Sequence, residues 1–208
     1  VCAADQIGVK PPDTKAASAA ALQGVVSNRD MGEFLTRATI WVSIVGYTLG
    51  SILFALSRGG SSSQGKAQWD SIARVVWTVA CASLIAHFIS AFQFYHGWSH
   101  AAAYRDTARQ TEELFGLNWG GGLFINYALM IVWMVDISWW WRSGLDSYRK
   151  RPWPLVAAWH GFLIFIIFNA TVVFGEGVVR WVGCAICLLL ALTWLDIAKR
   201  SRNLRAKK

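Results

Sequence analysis

Pro154–Phe174 reads PLVAAWHGFLIFIIFNATVVF, and after Gly175-Glu176-Gly177 the chain resumes as VVRWVGCAICLLLALTWLDIA over Val178–Ala198. Each stretch is about 20 residues, the length at which a helix crosses ~30 Å of hydrocarbon. A Gly-Glu-Gly connection leaves room only for a tight turn, so the two stretches form a membrane hairpin. Moving toward the N-terminus, Gly120–Trp141, Ile72–His96 and Ala38–Ser57 have the same character. None alternates apolar and polar residues over ~10 positions, as a transmembrane barrel strand would. Backbone groups in hydrocarbon must be satisfied internally. The expected fold class is therefore all-α: a polytopic helical membrane bundle of five transmembrane helices. A 55% hydrophobic composition and a mean hydropathy of +0.37 agree with it.

Five crossings put the termini on opposite sides, so charge divides by side. One side collects Lys10, Lys15, Arg29, Arg37, Arg105, Arg109 and Arg180; the other collects the remaining thirteen of twenty basic residues, chiefly in Arg142–Arg151 and Lys199–Lys208. The twelve acidic residues split eight to four in the opposite sense, leaving net charges of −1 and +9. The positive-inside rule makes the second side cytoplasmic, with the N-terminus outside. A bacterial inner membrane is the expected location. The basic balance then needs no nucleic acid to explain it, and none is expected as a partner. The tail Lys199–Lys208 is expected to meet anionic lipid headgroups, at ~1 kcal/mol per basic residue near the surface.

Tryptophan falls in the same frame. Of thirteen, Trp133 alone lies well inside a span; Trp41, Trp98, Trp119 and Trp181 sit at outer ends, and the other eight at inner ends. Indoles favour the headgroup level, so two belts are expected.

Between the second and third spans, Ala101–Leu114 is rich in helix formers and places Arg109 four residues before Glu113. A short outer-surface helix is expected there, broken by Gly116 and Gly120–Gly122. Arg58–Gln68 (RGGSSSQGKAQ) reads as an inner linker, and Pro152 and Pro154 suit a helix start. Residues 1–30, rich in Ala, Ser and Pro, have no continuous apolar core. They read as a flexible extension without a secretory signal, Met31 opening a membrane domain over 31–198, with 199–208 as a basic tail. Trp133-Met-Val-Asp136-Ile and Trp194-Leu-Asp196-Ile differ in spacing and indicate no repeat.

The four histidines are the candidate chemistry. His87 and His160 lie inside different spans, where an imidazole is costly and tends to have a task. Two such rings are the minimum for bis-histidine ligation of haem b, with His160 about 6 Å nearer the cytoplasm. The alternative is a hydrogen bond to a neighbouring helix, through Ser83, Ser90, Asn126 or Asn169. His96 and His100, at i,i+4, offer a second site: a divalent metal, with Glu113, Glu112 or Asp106 completing it. Gly97 between them counts against a continuous helical face.

Cys184 and Cys187 form a C-x-x-C in hydrocarbon, where burial raises a thiol pKa, so packing is the expected role. Asp136 and Asp196, near inner span ends, are expected in structural ion pairs with inner-side cations, and Asn126 and Asn169 in bonds across helix interfaces. P-loop, G-x-S-x-G, H-E-x-x-H and C-x-x-C-H motifs are absent, and the spans contain no lysine for a retinal-type Schiff base. The leading expectation is a non-catalytic integral subunit of a larger membrane complex, its partners being the bilayer and other membrane subunits. A haem b electron-transfer anchor and an outer-face metal enzyme or carrier are the alternatives.

Overall fold

In a computed structural model, residues 14–59 and 63–206 are described, with side chains over 28–57, 68–144 and 147–199. Residues 1–13 of the expected extension, 60–62 of the linker and 207–208 of the tail lie outside the described residues. The apolar stretches become helices, the form that satisfies backbone groups within one segment of chain. Helix α1 is Thr14–Gly59, and α2 is Ser63–Ala91, continued by one π-helical turn, Phe92–His96. The short α3, His100–Phe115, leads to α4, Gly122–Arg149. Helix α5 is Trp153–Phe168, with its own π-helical turn at Asn169–Val173, and α6 is Gly177–Ala206. Five of these helices are long and apolar enough to span a bilayer, and the protein is a multi-pass helical membrane protein.

The α1 helix has 46 residues, about 69 Å at ~1.5 Å per residue, over twice the hydrocarbon thickness. It starts at Thr14, ahead of the boundary at 31 that composition suggests. The α3 helix stands where the sequence places it, and its ends follow from local chemistry. The Ser99 side chain accepts the Ala102 N–H at 3.2 Å, and Gly116 closes the helix at φ 68°. The end of the bundle carrying α3 is called here the α3 end; the opposite one, where α6 finishes, is the tail end.

Helix α1 packs on α2 and α6, α2 packs on α4, and α5 packs on α6. The α1–α2 contact is close because glycines four residues apart face it. A Cβ on Gly46 would stand 2.9 Å from Ala80 Cβ, and one on Gly50 2.9 Å from the Trp77 ring. Small residues let backbones approach in lipid, where dispersion rather than water exclusion drives association. The signal, Gly46-Tyr-Thr-Leu-Gly50, is visible in the sequence. Helix α6 buries Leu190, Trp194 and Ile197 in the core and turns Val178, Trp181, Leu188, Leu192 and Leu195 outward; Trp181 is 75% exposed.

The tryptophan frame needs correction. Trp69, Trp98, Trp119, Trp139, Trp141 and Trp181 are exposed, as a headgroup belt requires. Trp77, Trp140, Trp159 and Trp194, assigned to the inner belt, are instead buried within the bundle beside Trp133. Position near a span end does not fix the direction in which an indole points.

Candidate functional site

Gly144 builds the polar region around Asp136. It interrupts α4 at φ 68°, ψ 173°, a conformation essentially confined to glycine. On a straight helix Tyr148 would lie ~18 Å along the axis from Asp136. With the chain bent at Gly144, the Tyr148 hydroxyl instead donates to Asp136 Oδ2 at 2.9 Å, and its ring stacks on Trp140 at 4.4 Å. The segment after the kink thus folds back under the tail end.

Asp136 is the hub. Its Oδ2 also accepts from Trp77 Nε1 at 3.1 Å, while its Oδ1 pairs with the Arg151 guanidinium. Both charged side chains are only 4% exposed. Arg151 donates a further bond from Nε to the Tyr148 carbonyl at 3.1 Å and lies 3.5 Å over the Tyr148 ring. Burial, reinforced by the Asp136 charge, holds the Tyr148 phenol well above its ordinary pKa. A second pair lies beside this one: Arg149 Nη2 donates at 2.7 Å both to Asp70 Oδ1 and to Ser57 Oγ. Arg149 therefore ties the refolded segment to α1 and α2.

His160 sits deeper in the same region, fully buried. Its Nδ1 shares a 3.0 Å hydrogen bond with the Tyr47 hydroxyl, and its ring stacks on Trp194 at 3.4 Å between centroids. Tyr47 in turn touches Trp77 and Trp133 at 5.1 and 5.8 Å. The aromatic rings thus link the Tyr47–His160 pair to the Asp136 hub through Trp77, which belongs to both. Among the described residues, His160 Nε2 and the indole N–H groups of Trp133 and Trp159 have no hydrogen-bond partner.

The histidines expected to share a haem are not brought together. His87 donates from Nδ1 to the Thr36 carbonyl at 2.9 Å, whereas His160 meets α1 at Tyr47. Those two positions on α1 are about 16 Å apart along the axis, while two axial nitrogens on one metal stand only ~4 Å apart, at ~2 Å per bond. Neither histidine uses the serines or asparagines that the sequence suggests. Asn169 bonds back to the Phe165 carbonyl of its own helix at 2.7 Å, not across an interface.

At the α3 end, His96 and His100 part company. Gly97 and Trp98 adopt φ 53° and 59°, so the chain turns between them and the i,i+4 face is broken. His96 Nδ1 lies 3.2 Å from Asp106 Oδ2, and Arg109 joins Asp106 at 3.3 Å to Glu113 at 3.9 Å. His100 pairs instead with the Tyr127 hydroxyl at 3.1 Å and stacks on its ring. Among the described residues, no three His, Cys, Asp or Glu side chains converge as a metal-ligand set. Cys184 is exposed and Cys187 half-buried, so Cys184 does not take the packing role expected of it within the chain.

The sequence anticipated an ion pair for Asp136 but not its density. Tyr47, Trp77, Tyr148 and Arg151 carry the site without any motif spacing, because they come from three helices and a loop. The one available signal is Gly144, a glycine between the inner-end tryptophans and a run of cations. Comparison with protein-family models, curated proteins and solved structures finds no match.

Proposed function

We propose that this protein is a non-catalytic integral subunit or scaffold of a larger membrane assembly, with the N-terminus outside and the basic tail cytoplasmic. One observation carries the proposal: the polar constellation around Asp136 is closed on itself. Asp136 spends both oxygens on Arg151, Trp77 and Tyr148, and neither member of the ion pair is open to a substrate. Such a hub serves to hold helices in register. The outward apolar ridge of α6 suits either lipid or a neighbouring subunit, and the basic tail suits anionic headgroups.

Gentle solubilisation of native membranes, followed by native electrophoresis and immunodetection, tests the reading. The expected band migrates well above the 23.1 kDa chain in its detergent micelle. A single band at the monomer position, surviving chemical crosslinking before solubilisation, overturns it. An absorption spectrum of the same preparation is expected to show protein absorption alone. A Soret band that shifts on dithionite reduction would instead favour the haem alternative.

A further inference from the structure

We infer that the membrane-facing junction of α2 and α4 at the tail end is a specific site for one anionic phospholipid, its phosphate held by Arg74. The Arg74 guanidinium lies 4.0 Å over the Trp141 ring. Trp141 is fixed in that position, because its Nε1 donates to Thr78 Oγ1 at 3.0 Å and Thr78 donates to the Arg74 carbonyl at 2.8 Å. Three side chains on two helices therefore form a closed circuit that orients one cation. Stacking occupies a guanidinium face and leaves its in-plane N–H fork free, the arrangement that matches two oxygens of a phosphate.

The charge balance of this end points the same way. Arg149 and Arg151 are each matched by a buried aspartate; among the described residues, no carboxylate pairs with Arg74. Arg74 is about 9 Å inside the Gln68 end of its span, within reach of the headgroup level by snorkelling. Trp141 is 49% exposed, and Met134, two turns earlier on the same face of α4, is exposed as well. Acyl chains thus have an apolar wall next to a cation without a protein counter-ion. A soluble anion would meet the cation but not the wall, so the occupant is a lipid.

Native mass spectrometry of the detergent-solubilised full chain, with phosphatidylglycerol and phosphatidylcholine in equal amounts, tests the site. One phosphatidylglycerol is expected to be retained about fivefold over phosphatidylcholine, the effect of one basic residue near an anionic surface. Arg74→Gln is expected to bring that ratio near unity, and Trp141→Leu, which keeps the cation but removes its platform, to reduce it. Inorganic phosphate is expected neither to bind nor to compete. Equal retention of both lipids by the unaltered protein overturns the proposal, as does a preference that survives both substitutions. Displacement by inorganic phosphate would show a simple anion site and overturn the lipid assignment.

Discussion

Removing the Asp136 carboxylate strands a guanidinium. In Asp136→Ala the Arg151 side chain keeps its bond to the Tyr148 carbonyl and its place over the Tyr148 ring. Its charge, however, stays buried without a counter-ion, and the donors on Trp77 and Tyr148 lose their acceptor. Breaking a buried pair from one side costs ~3–5 kcal/mol. For a chain of this size, ~2–4 °C per kcal/mol translates that into a fall in Tm of roughly 6–20 °C. Thermal unfolding followed by circular dichroism, at fixed detergent concentration, reads the shift. Asp136→Asn is expected to fall between wild type and Asp136→Ala, because the amide oxygen still accepts from Trp77 and Tyr148. The decisive comparison is Asp136→Leu with Arg151→Met, which removes both charges and is expected to recover most of the loss, since apolar replacement of a buried pair is often neutral. A Tm for Asp136→Ala within about 2 °C of wild type would refute the hub. So would a double variant as unstable as its two single changes added together.

Other expectations are briefer. Gly50→Ala places a Cβ 2.9 Å from the Trp77 ring and should cost ~1–3 kcal/mol in the same melt; no change would mean that α1 and α2 are not in close register. Gly144→Ala must hold φ 68° with a side chain. It should cost ~1–3 kcal/mol and expose the Tyr148 segment to limited proteolysis, whereas unaltered digestion would count against the refolded segment. Single cysteines at Glu176 and Lys150, in a background free of other cysteines, should label from the outside and the cytoplasm respectively. Labelling of both from one face would rule out five crossings.

Length and apolarity made the five spans legible, because a bilayer imposes one thickness on every crossing. The α3 helix was legible from its helix formers and the glycines after it. What the residues did not disclose was which way a side chain turns within a span. An indole toward the end of a span looks the same whether it is exposed, as Trp139 is, or turned into the bundle, as Trp140 is. Helix periodicity in lipid is weak because both the core and the surroundings are apolar, so no polar stripe marks the outward face. The Asp136 site suffered most from this, since its donors reach it from distant parts of the chain and through the backbone reversal at Gly144. The histidines share the difficulty: position along a helix does not say toward which neighbouring helix a ring turns.

Asp136 and Arg151 are fifteen positions apart in the chain, and synthesis delivers the acid first. An aspartate alone in hydrocarbon is costly, and the cation that neutralises Asp136 lies beyond the kink rather than within its own span. The third crossing is therefore complete as a low-cost membrane segment only together with the refolded stretch that follows it.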